Sequence, residues 1–145
     1  MSLMRLRGWL TGLWAGSVVS VGAIAAPALF AVLERAQAGA VAGRLFTVDA
    51  YLGLALAVVL LLLERRLAAH RADTAQGSRM STELVLVLAV LFCIVAGYFA
   101  VQPMMEQARA GQGRWSFGVL HGLSSAFFAL KGLLLLVLAW RSAPR

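Results

Sequence analysis

Residues 117–140 read FGVLHGLSSAFFALKGLLLLVLAW, an almost uncharged run broken by one ionic side chain, Lys131. At ~1.5 Å rise per residue, roughly 20 apolar residues in an α-helix cross the hydrocarbon core of a bilayer, so this run is read as a membrane span. An ionisable group near the centre of such a helix costs at least ~2.5 kcal/mol, and it therefore faces a partner, a cavity or a pathway. Thirteen residues of the chain are Lys or Arg, and Lys131 is the single lysine among them. Lysine can give up its proton when buried, whereas arginine effectively cannot. Lys131 is thus the first lead to function.

Working outward, three more stretches have the same character: residues 9–33, 41–63 and 84–101. The whole chain of 145 residues is 61% hydrophobic, with a mean hydropathy of +0.85. Backbone groups in lipid must be satisfied within the protein, which leaves helices or a closed barrel. The run Val58-Val59-Leu60-Leu61-Leu62-Leu63 does not alternate as a barrel strand does, so helices are expected. The fold class is an all-α integral membrane protein: one domain over residues 1–145, forming an up-down-up-down four-helix transmembrane bundle. The N-terminal run resembles a secretory signal but exceeds the usual ~7–15 residues of its apolar part, and it is read as an uncleaved first span.

Arginine placement sets the orientation. Arg5, Arg7, Arg65, Arg66, Arg71, Arg79, Arg141 and Arg145 fall on the side of the termini and the second loop, against Arg35, Arg44, Arg109 and Arg114 on the other. Both termini are therefore expected in the cytoplasm, in a bacterial inner membrane. The net charge of +7 is spread over span ends rather than gathered on one face, which argues for lipid headgroups and against nucleic acid as the partner. Cys93 is the only cysteine, so no disulfide can form within the chain.

Residues 64–83 are the most polar stretch and are expected to form a mobile loop around Gln76-Gly77-Ser78. Ser81 and Thr82 offer caps for the third helix. Pro103 and the run Ala110-Gly111-Gln112-Gly113 are expected to end that helix, and Pro27 to kink the first. Gly8, Gly12, Gly16 and Ser20 recur every four residues, as do Gly118, Gly122 and Ala126, and Ala89, Cys93 and Gly97. Such stripes suit close helix packing within the chain or between copies. Trp9, Trp14, Trp115 and Trp140 lie mostly where interfacial anchors lie.

On the fourth helix His121, Ser124, Ser125, Phe128 and Lys131 share one face by their spacing. Helical rise puts Lys131 roughly 15 Å above the cytoplasmic boundary and Asp49 roughly 22 Å, with Tyr98 level with Asp49. Asp49 is the only carboxylate within the lipid depth, so Asp49 and Lys131 form the natural charge pair. Arg44, level with His121, is expected to help cap the entrance. No cofactor or metal is expected. Met104-Met105 reads as apolar filler, and no nucleophile–base set or phosphate loop is present.

The stretches Ala25-Ala26-Pro27-Ala28-Leu29-Phe30, Ala38-Gly39, Gly43-Arg44-Leu45-Phe46 and Phe117-Gly118-Val119-Leu120-His121-Gly122-Leu123-Ser124-Ser125 resemble those of the bacterial domain-of-unknown-function 4149 family, related to transmembrane protein 205-like proteins. The resemblance implies a four-span membrane protein linked to transport or trafficking rather than to an enzyme, the 205-like members being associated with platinum-drug resistance and vesicle traffic. The 205-like pattern carries an asparagine shortly after the serines, where this chain has Phe128.

The expected function is non-enzymatic: an outward-facing polar stripe that binds or conducts a small solute, ion or lipid headgroup, in a chain that forms a homo-oligomer. One alternative is a small accessory or assembly subunit of a larger membrane complex. Another is a haem- or metal-binding redox protein with His121 as ligand.

Overall fold

A computed structural model of the chain describes residues 2–74 and 80–143. The described residues are helical, without a strand, and contain four helices long and apolar enough to cross a membrane. They are α1 (Leu3–Val32), α2 (Arg35–Asp73), α3 (Thr82–Arg109) and α4 (Phe117–Ser142). Serines open three of them. The Oγ atoms of Ser2, Ser81 and Ser116 accept from the backbone N–H of Arg5, Leu84 and Val119, each satisfying an amide that the first turn leaves free. Gly111 and Gly113, at φ 72° and 92°, turn the chain between α3 and α4, a backbone region that side chains disfavour.

Neighbouring helices run antiparallel. α4 packs on both α1 and α3, and α2 on the same two, giving a four-cornered bundle. One end carries the start of α1 and the end of α4; the other, the connection end, carries the α1–α2 and α3–α4 connections. Trp14, Val18, Leu60, Val87, Val90, Ile94, Leu135 and Leu138 form the core toward the terminal end. A smaller cluster of Val101, Met105 and Leu120 closes the connection end.

α1 and α2 each begin six residues before the expected spans, at Leu3 and Arg35, and two helix ends differ further. α2 continues ten residues past position 63, to Asp73, because Glu64-Arg65-Arg66-Leu67-Ala68-Ala69-His70 are good helix formers without Gly or Pro. Part of the expected loop is therefore helix, and its centre at residues 75–79 lies outside the described residues. α3 runs through Pro103 to Arg109 instead of ending there. Proline lacks an N–H and its ring crowds the carbonyl four residues earlier. In α3 that carbonyl belongs to Phe99, inside a π-helical turn at Val95–Ala100, which widens the helix just where the ring needs room. α1 uses the same device: Pro27 follows a π-turn at Ser20–Ala25, in which the Ala26 N–H donates to the Val21 carbonyl.

The small-residue stripes are also only partly packing surfaces. A Cβ added at Gly8 would lie 3.1 Å from the Ser142 carbonyl oxygen, but Gly12, Gly16, Gly118 and Gly122 have open space, and Ser20 is exposed. The tight approaches lie elsewhere. A Cβ at Gly22 would meet Phe128 Cε1 at 2.6 Å, and one at Gly97 would overlap the Phe127 Cβ. Both glycines lie within the π-turns, and both receive an aromatic ring from α4. Trp14 is 2% exposed and part of the core, whereas Trp9, Trp115 and Trp140 are exposed near helix ends.

Candidate functional site

The α2 and α4 helices bring Asp49 and Lys131 face to face at mid-bundle. Lys131 Nζ donates to Asp49 Oδ2 at 2.5 Å, and both residues are buried, at 4% and 8% exposure. Lys131 Nζ also sits 4.4 Å from the centroid of the Phe128 ring, which itself meets Phe46 edge-to-face at 5.1 Å. The ammonium is thus held by a carboxylate on one side and an aromatic face on another, compensating its desolvation.

Above the pair, toward the connection end, the four helices enclose a cavity of about 840 Å³. Its size lies in the range of ligand pockets, and its walls are mainly apolar. Phe30, Phe46, Phe117, Phe128, Ile94 and Met105 supply that surface, and Asp49, Lys131 and Cys93 lie at its inner end. Below, Val18, Leu60 and Leu135 are packed to near-zero exposure, so the cavity does not continue to the terminal end. It is a half-pocket.

His121, Ser124, Ser125 and Tyr98 all line this space. His121 stacks on Phe117 at 5.7 Å between centroids. Ser124 Oγ donates to the Gly97 carbonyl at 2.8 Å, using an oxygen in the π-turn of α3. Tyr98 donates to Thr47 Oγ1 at 2.8 Å, and Thr47 donates in turn to the Gly43 carbonyl at 2.9 Å. Two of the four stripe residues are therefore committed to holding helices together. Arg44 does not line the cavity. The α2 face turned inward comprises Arg35, Gly39, Ala42, Phe46 and Asp49, a four-three spacing that leaves position 44 pointing away. Arg44 has the right height and the wrong azimuth.

In its place stand Arg35 and Arg109, which axial depth alone does not single out. The signal was available: Arg35 continues the Asp49 face of α2, and Arg109, Met105, Gln102 and Tyr98 repeat at four-three-four on α3. Arg109 lies over the Phe117 ring at 4.7 Å, which fixes it at the mouth. Neither arginine has a carboxylate within ion-pair distance among the described residues.

A second buried charge group lies at the terminal end, built from residues of the polar stretch 64–83 and from arginines at span ends. Glu64 is fully buried and pairs with Arg7 at 3.3 Å and, more distantly, with Arg71 at 3.9 Å. Nearby, Arg141 Nε donates to Glu83 Oε1 at 3.0 Å. Glu64 Oε2, Arg7 Nε and Ser142 Oγ are buried without a hydrogen-bond partner. Among the described residues, no three His, Cys, Asp or Glu side chains gather to hold a metal ion.

A family model, Domain of unknown function (DUF4149), matches residues 9–114, and the chain belongs to that family. No curated protein and no solved structure matches it.

Proposed function

We propose that this family member is a non-enzymatic, multi-pass membrane protein that takes a small guest into its half-pocket from the connection end. The carrying observation is the cavity of about 840 Å³, walled by aromatic and aliphatic side chains and floored by the Asp49–Lys131 pair. Such a combination, mostly apolar with a few convergent polar groups, is the usual form of a small-molecule site. Covalent chemistry finds little support: Ser124 is engaged with a backbone carbonyl and His121 with an aromatic ring. The charge distribution favours the cytoplasm for the terminal end, so the pocket opens outward.

Filling the pocket tests this. Gly43 lines the cavity and has no atom within 4 Å of a built Cβ, so Gly43→Trp places an indole there without a clash at its root. Native mass spectrometry of gently solubilised protein should show a retained guest in the wild type and none in Gly43→Trp. A guest held equally by both would overturn the reading.

One observation favours a second reading, a homo-oligomer or an accessory subunit of a membrane complex. Gly12, Gly16, Gly118 and Gly122 leave room on the outside of the bundle for another helix to approach closely. Gly16→Leu should then release a partner or a second copy on native gels while leaving guest retention intact; an unchanged assembly would remove this reading.

A further inference from the structure

We infer that the guest is an anionic amphiphile that enters sideways from the bilayer between α1 and α4, its oxyanion headgroup held by Arg35 and Arg109. The inference rests on the proposed guest-binding role of the cavity and specifies its ligand class.

Charge comes first. Four ionic side chains line the cavity: Arg35, Asp49, Arg109 and Lys131. Asp49 and Lys131 neutralise each other at the floor. That leaves two guanidiniums at the mouth, unpaired with any carboxylate among the described residues. Glu34 and Glu106 are near them in sequence, yet neither lines the cavity. Two guanidiniums in one mouth suit phosphate or carboxylate oxygens, which arginine binds through paired N–H groups. Arg109 is already oriented by its stacking on Phe117.

Shape comes second. Leu3–Val19 of α1 packs closely along α4, but beyond Val19 the α1 backbone stays near α2, and α4 meets it through the Phe128 ring at Gly22. The change begins at the π-turn Ser20–Ala25. On the connection-end half the two backbones make few close approaches, which gives a side entrance between α1 and α4 with Phe128 against Gly22 at its inner edge. A soluble anion has no use for a side entrance or for walls of Phe30, Phe46 and Phe117. An acyl chain fits both, and its headgroup would stay level with Arg35 and Arg109. The shared chemistry is an oxyanion on an alkyl chain, supplied by a phospholipid of the bilayer or by a free single-chain amphiphile.

The test is native mass spectrometry of the full chain in neutral detergent, titrated separately with phosphatidylglycerol, phosphatidylcholine, hexadecyl phosphate and inorganic phosphate. The wild type should retain an anionic amphiphile at least tenfold better than phosphatidylcholine or inorganic phosphate. Preference for phosphatidylglycerol assigns the bilayer as the source, and preference for hexadecyl phosphate assigns a free amphiphile. The exposed pair change Arg35→Gln/Arg109→Gln should abolish that preference, while Arg44→Gln, outside the cavity, should keep it. Binding of phosphatidylcholine as strong as phosphatidylglycerol, unaffected by the pair change, would overturn the inference and leave a guest-binding pocket standing. Inorganic phosphate bound as tightly as hexadecyl phosphate would likewise overturn it. Retention of every probe by Gly43→Trp would instead sink the pocket reading itself.

Discussion

Lys131 on α4 and Asp49 on α2 form a buried ion pair at 2.5 Å, the only direct ionic link between those two helices among the described residues. Breaking a buried pair from one side leaves an uncompensated charge and typically costs about 3–5 kcal/mol, whereas replacing both partners is often neutral. Lys131→Met alone should therefore lower the thermal midpoint of the detergent-solubilised protein markedly. Lys131→Met combined with Asp49→Asn should restore most of the loss. Equal destabilisation in the single and double variants would show that the pair is not the source. It follows that the single change is a poor probe of function, and that binding assays belong on the double variant.

The terminal-end pairs should behave unequally. Glu64 is fully buried and its partner Arg7 nearly so, while the Arg141 side chain is 44% exposed. Glu64→Gln should cost about 3–5 kcal/mol by stranding Arg7. Arg141→Gln should cost no more than about 1 kcal/mol, since water screens the pair. Thermal unfolding of both variants under one detergent condition checks the ranking, and a reversed order would refute it.

Two glycines should respond in opposite directions to the same change. Gly97→Ala forces a Cβ into Phe127 and should destabilise the bundle, with a shift in the near-ultraviolet signal as the aromatic contact repacks. Gly12→Ala meets nothing within 4 Å and should stabilise by about 0.5–1 kcal/mol through helix propensity. A stabilising Gly97→Ala would contradict the close approach of α3 and α4.

Cys93, the single cysteine, lines the inner end of the cavity and serves as a built-in probe. A small thiol reagent added to intact vesicles should label it from the side of the connection end. Gly43→Trp should slow the labelling at least tenfold without altering the fold. Labelling that is faster from the terminal end would place the opening on the wrong face.

Much of this architecture was legible in the residues. The long apolar runs dictated four helices, and Ser81 was readable as a cap. Depth along α2 and α4 put Asp49 and Lys131 within one side chain's reach, because helical rise is a constant. Rotation about the helix axis is not legible in the same way. Arg44 has the right height but lies off the inward face that Arg35 shares with Asp49. The glycine stripes showed where backbones could approach without showing where they do: Gly22 and Gly97 meet aromatic rings, and Gly12 and Gly16 do not. Glu64 falls at the start of the polar stretch 64–83, and nothing in its neighbourhood signals that Arg7 will cover it.

The number of long apolar helices, axial depth along each and the scarcity of charge within them were determined by the sequence alone. These are properties of a single helix in an apolar medium, set by hydropathy and a fixed rise per residue. The half-pocket, the choice of Arg35 and Arg109 as its mouth, the seating of Phe128 on Gly22 in the π-turn of α1 and the burial of Glu64 were decided only by tertiary structure. Each depends on how two or more helices rotate and tilt against one another. That arrangement is a compromise among packing contacts distributed over the whole bundle, and no local stretch of sequence carries it.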